Sequence, residues 1–158
     1  MLLFLASVVE QLDLSLEHIG NGDVHNARFS LMLTDNALEL VLHQIVKDKR
    51  AEAGGWRYRE DRYPYETQLR KAYLGSFSDK LAFARLEAGL DEQTARTFNI
   101  LHEYRNELYH AGLAHHEILP TLARLYIHTS CMYLANYEPR GLGWSSAQKM
   151  PERAKKYF

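Results

Sequence analysis

Five residues near position 105 combine the types and spacing needed to work on a phosphodiester: His102, Arg105, Asn106, Tyr109 and His110. At about 100° per residue, a helix through them places Arg105, Tyr109, His102, Asn106, Asn99, His110 and Glu103 within an arc of about 160°. Leu101 and Leu108 fall on the opposite side and would seat such a helix on its neighbours. Arg105 offers a permanent cation and a planar fork for phosphate oxygens, and an imidazole such as His110 exchanges a proton near neutral pH. Asn106 stands one turn before His110, a spacing that lets its amide orient the ring or hold a ribose hydroxyl. These are the parts for metal-independent RNA cleavage: a base for the 2′-hydroxyl, a cation for the charge that builds on phosphorus, and an orienting amide. DNA has no 2′-hydroxyl, so the same parts would select RNA.

The hexapeptide Arg105-Asn106-Glu107-Leu108-Tyr109-His110 resembles the Arg-Asn-x-x-x-His motif of HEPN domains (higher eukaryotes and prokaryotes nucleotide-binding). The resemblance extends over roughly Leu31 to Tyr137 at the level of helix order, and only the hexapeptide is specific. It implies an all-α up-down bundle of four to five helices and a metal-independent endoribonuclease of the toxin or phage-defence type. No cofactor is implied. Carried over, Arg105 would bind the scissile phosphate, His110 would be the catalytic imidazole, and Asn106 the polar residue after the Arg, with His102 and Tyr109 in support. The family implies an acidic group on an earlier helix, for which Asp35 and Glu39 both qualify. It also implies a homodimer acting on single-stranded or loop RNA, tRNA among the candidates, and a nucleotidyltransferase or other antitoxin as regulator. Gly112 stands where one toxin subgroup has a Tyr two places after the His. A non-catalytic helical module that binds a nucleotide or a protein partner through the same polar arc is the alternative.

Other residues admit both a chemical and a structural reading. Asp35, Glu39 and His43 recur every fourth residue on an otherwise apolar helix, a polar stripe that either serves Arg105 or fixes helix register. In either case it needs a partner, because unpaired buried charge is costly. The segment Trp56 to Tyr65 interleaves Arg57, Arg59 and Arg62 with Tyr58 and Tyr63, a composition that suits single-stranded RNA and equally suits a connector packed by its aromatics. Glu107 and His110 have the Glu-x-x-His spacing of di-iron bundles, but no second such pair exists in the chain, so no metal is expected. His115 and His116 lack the spacing of a metal site and would flank the last long helix. Cys131 is expected in the core of that helix.

Around these residues the pattern is helical throughout. Leu2–Ile19 carries apolar residues at spacings of three and four before Gly20 and Gly22. A longer helix should run from Val24 to about Ala53, a third from Pro64 or Tyr65 to about Ala88 using Leu69, Tyr73, Phe77, Leu81 and Leu86, a fourth from an Asp91 cap to Gly112, and a fifth from His115 or His116 to Tyr137. The expected organisation is a bundle over 1–137 and a basic tail, 138–158, rich in Gly, Ser and Pro with at most a short terminal helix.

The chain has 158 residues, 19 Lys and Arg against 20 Asp and Glu, a formal charge of −1, and one Cys. That balance argues against a long basic groove for duplex DNA and excludes an intramolecular disulfide framework. Met1 to Val9 is apolar but short, has no basic leader, and meets Glu10 and Asp13 where a cleavage site would need small residues. No membrane span is visible, and the expectation is a cytoplasmic, single-domain protein.

Overall fold

A computed structural model describes residues 2–55, 63–111, 116–138 and 149–158, without the side chains of Gly55, His110 and Ala111. All regular structure among the described residues is helical: α1 (Leu2–Asn21), α2 (Val24–Gly55), α3 (Glu66–Leu74), α4 (Phe77–Glu87), α5 (Glu92–Ala111), α6 (Leu119–Leu134) and a C-terminal 3-10 helix (Glu152–Tyr157). This is the all-α bundle that the apolar periodicity predicts. None of these helices is long and apolar enough to cross a membrane.

Two compact units divide the chain, one of 1–38 and 100–158, the other of 39–99. The first holds α1, the beginning of α2, most of the polar arc on α5, α6 and the 3-10 helix. Ala6, Val8 and Leu12 of α1, Ala27 and Leu31 of α2, Leu101 and Leu108 of α5, and Ala123, Tyr126 and Ile127 of α6 are buried in it. Gly22, at a φ of 77°, takes the left-handed turn between α1 and α2 that a side chain would resist. Asp23 then caps α2, its Oδ1 accepting from the backbone nitrogens of His25 and Asn26 at 2.9 Å. A fully buried hydroxyl cluster sits between the two helices. Ser15 Oγ donates to the Ser30 carbonyl at 2.9 Å and lies 2.7 Å from Ser30 Oγ and 2.8 Å from Thr34 Oγ1. Ser15 has a single proton, so the other two hydroxyls must donate to it, a pattern that one register of α1 on α2 satisfies.

In the second unit, the expected third helix is two helices. A Cβ at Gly75 would collide with the Lys71 carbonyl and the Asp79 carboxylate, so only glycine fits the break. Ser76 restarts the helix with a capping box, its hydroxyl accepting from the Asp79 nitrogen while Asp79 accepts from the Ser76 nitrogen at 3.0 Å. Restarting at Phe77 puts Phe77, Leu81 and Ala84 on the buried face. Leu86 lies about 180° from Phe77 and is exposed, contrary to its expected packing role. Gly89, at a φ of 64°, turns the chain out of α4 while the Leu90 nitrogen reaches back to the Ala84 carbonyl. Lys49 of α2 pairs with Glu87 at 2.7 Å and sits 5.0 Å from the Tyr63 ring centroid.

Cys131 also departs from expectation: it is exposed. The buried stripe of α6 runs through Leu119, Ala123, Tyr126, Ile127 and Ser130, and Cys131 is turned about 90° from its centre.

The end of the basic tail is a helix clamped onto α1. Asp13 takes Lys156 Nζ and Tyr157 Oη, both at 2.7 Å, on Oδ1 and Arg153 Nη1 at 3.4 Å on Oδ2. Arg153 also pairs with Glu17, and Ala154 is wholly buried. The Lys156 hydrogen bond, then that of Tyr157, holds the Asp13 carboxyl below the ordinary carboxylate range. A group so depressed contributes to docking above that range and loses its contribution as pH falls through its folded-state value. Amide protection factors of residues 152–157, the intrinsic rate at each pH divided by the observed exchange rate, should therefore fall in Asp13→Asn at neutral pH, and in the wild type on acidification, with those of α2 and α5 unaffected.

Candidate functional site

The first unit is organised around one carboxylate. Asp35 lies in the wholly buried part of α2, flanked by Leu31, Thr34 and Leu38, all without solvent exposure. An ionised carboxylate there loses its water and must gain donors. Two converge on Oδ1: Tyr126 Oη of α6 at 2.6 Å and His102 Nδ1 of α5 at 2.8 Å. The third partner is Arg105 of α5, whose Nε lies 3.3 Å from Oδ2. Neither Oδ2 nor Nε makes a hydrogen bond, so Arg105 is held by charge and not by a directional bond. Its Nη1 donates to Asn106 Oδ1 at 2.8 Å. The Arg105 side chain keeps 29% of its surface in solvent, so the guanidinium touches both the buried anion and the outside.

This geometry selects a tautomer as well as a position. An ionised carboxylate only accepts, so the His102 ring carries its proton on Nδ1, and Nε2 is the basic nitrogen of the neutral ring. His102 and Arg105 are three residues apart on α5, one turn, so the same carboxylate orients an imidazole and a guanidinium side by side. Leu101 and Leu108 are buried beneath them, as their projection predicts. Arg28 of α2 adds a brace, its Nη2 donating to the Leu108 carbonyl at 3.1 Å in the last turn of α5. Tyr104, beside Arg105 on α5, has its hydroxyl buried without a hydrogen bond, and burial followed by the Glu107 charge pushes its ionisation up.

Of the residues singled out by sequence, Asp35, His102, Arg105 and Asn106 are brought together. Asn106 engages Arg105, where the sequence offered His110 or a ribose hydroxyl as its partner. Of the two acidic candidates, Asp35 is the one on Arg105; Glu39 accepts instead from Lys80 of α4 at 2.8 Å within the second unit. His43, the last of the stripe, stacks on Tyr73 with centroids 6.0 Å apart, and its buried Nδ1 has no hydrogen bond. Burial, then the charges of Lys80 and Lys47, makes His43 harder to protonate. Tyr109 is exposed on the arc. His110 lies in the last turn of α5, and its side chain is outside the described residues, as are Arg57, Tyr58, Arg59 and Arg62 entirely. Tyr63, at the edge of that connector, is buried edge-on to Tyr65 with centroids 5.9 Å apart. Among the described residues no group of three or more His, Cys, Asp or Glu is arranged to hold a metal.

Tyr126 is the member of the network that the sequence reading missed. Its signal was present: a tyrosine in the middle of an apolar helical stripe must find a partner for its hydroxyl, and the unpaired stripe on α2 was the available acceptor. Tyr126→Phe should destabilise the fold by about 1.5–3 kcal/mol, the range for a hydrogen bond to a charged group. Asp35→Ala should cost about 3–5 kcal/mol, because it strands the partly buried Arg105 guanidinium and the Tyr126 and His102 donors. Urea denaturation of both variants measures these losses. No family model, curated protein or solved structure matches the chain.

Proposed function

We propose that this protein is a HEPN-like, metal-independent endoribonuclease that cuts single-stranded or loop RNA through the ribose 2′-hydroxyl. The observation that carries this reading is Arg105: a permanent cation on the helix bearing Arg-Asn-x-x-x-His, held against the fully buried Asp35 and partly open to solvent. In the proposed reaction Arg105 binds the non-bridging phosphate oxygens and offsets the charge that develops on phosphorus. His110 transfers a proton, and Asn106 keeps the guanidinium in line. The products are a 2′,3′-cyclic phosphate and a 5′-hydroxyl end. A toxin or phage-defence role, restrained by a nucleotidyltransferase or other antitoxin, follows from the family resemblance.

The proposed active form is a homodimer. Ile118 at the N-cap of α6 and Leu125 and Met132 along it are exposed at seven-residue spacing, which keeps them to one side of the helix for a second copy to cover. Light scattering on the purified protein should give twice the chain mass; a strict monomer overturns the dimeric site.

Incubation of the wild type and of His110→Ala and Arg105→Ala with total RNA in EDTA, followed by end mapping, tests the activity. Cleavage by the wild type, with cyclic phosphate ends, is expected, along with loss of at least about 100-fold in each variant while circular dichroism stays unchanged. Absence of cleavage by the wild type across tRNA and mRNA overturns the nuclease and favours a binding module built on the same arc.

A further inference from the structure

The Asp35–His102 pair has the form of a proton-transfer device, and the proposed reaction leaves one proton transfer unassigned. Cleavage needs a base at the 2′-hydroxyl and an acid at the 5′-oxygen, and one imidazole cannot hold both protonation states at once. We propose that His102 is the general base of this site, a role that rests on the ribonuclease reading above. The Nδ1 proton is held on Asp35 Oδ1 at 2.8 Å, which fixes the tautomer and prevents ring rotation. Nε2 then accepts the 2′-hydroxyl proton. The 2′-oxygen bonds to phosphorus, the phosphorus–5′-oxygen bond breaks with its electron pair going to the 5′-oxygen, and that oxygen takes a proton from His110. The imidazolium formed at His102 is stabilised by the Asp35 carboxylate, which Arg105 helps keep ionised from the Oδ2 side without a hydrogen bond of its own.

Burial distinguishes this arrangement from a surface ion pair. Asp35 is wholly buried while His102 retains 17% of its side-chain surface, so the anion is shielded and the ring reaches the outside. Tyr126 contributes the tuning. By donating to the same Oδ1 at 2.6 Å it withdraws part of the carboxylate's charge from the imidazole. Among the described residues, the groups joined through this carboxylate include Asp35 from α2, Tyr126 from α6 behind that carboxylate, and Arg105 one turn along α5.

The test is steady-state cleavage of an end-labelled single-stranded oligoribonucleotide across pH by the wild type, His102→Gln, Tyr126→Phe and Arg105→Ala. His102→Gln should lower kcat by about 100-fold or more with KM little changed, and the acid limb of its kcat/KM profile should vanish. Tyr126→Phe should move that limb to higher pH, because a carboxylate with one donor fewer stabilises the imidazolium more. A merely structural role would move neither limb. If Arg105→Ala is inactive while His102→Gln keeps the wild-type rate and profile, the base assignment is overturned and the nuclease stands. An inactive wild type overturns both. Should His102→Gln fail to fold, by loss of its circular dichroism melt, the Tyr126→Phe profile decides: an unmoved acid limb overturns the proposal.

Discussion

A carboxylate with no access to water sets the terms for the first unit of this protein. Asp35 cannot be buried alone, and the nearby hydroxyls of α2, Ser30 and Thr34, are engaged with Ser15 instead. Its partners come from two other helices, an imidazole donor and a guanidinium charge from α5 and a phenol donor from α6. Each is directional or charged, so the carboxylate specifies which residues of α5 and α6 must face α2. Apolar packing of the kind that buries Leu31, Leu101, Leu108 and Ile127 tolerates small slides; this network does not.

Other polar contacts in the same unit act in the same sense with less charge at stake. The Ser15, Ser30 and Thr34 hydroxyls fix α1 on α2, and Arg28 ties α2 to the carbonyl end of α5. The 3-10 helix is attached differently, by charge pairs on Asp13 near the surface, and such pairs are worth less because water competes for them. Rigidity is thus concentrated around Arg105 and His102, while the tail is held by contacts that salt and acid weaken. A site that must stabilise charge in a transition state benefits from groups that do not reorganise during the reaction.

Most of this was legible in the linear sequence where local rules decide. Helix periodicity, the stops at Gly22 and Gly89 and the Asp91 cap, whose Oδ1 accepts from the Thr94 nitrogen at 2.8 Å, acted as their residue types require, whereas α1 and α2 run on through Gly20, Gly54 and Gly55. Leu101 and Leu108 fell on the buried side of α5 because a regular helix preserves the phase of its residues. The break at Gly75 was harder to read. A Ser-x-x-Asp cap inside a continuous apolar pattern signals a restart only when the preceding residue has no room for a side chain, which is a tertiary fact. Cys131 and Leu86 failed for a related reason: an apolar residue near a stripe is buried only if the neighbouring helix covers that edge.

By itself the sequence determined the helical fold class seen among the described residues, the polar arc on one long helix, and the need of the Asp35, Glu39 and His43 stripe for partners, since periodicity and the cost of buried charge are local and general. Tertiary structure alone decided how those partners were shared. It gave Asp35 to His102, Arg105 and Tyr126, Glu39 to Lys80, and His43 to the face of Tyr73. Partners far apart in sequence are chosen by which helix faces meet, and no local spacing encodes that meeting.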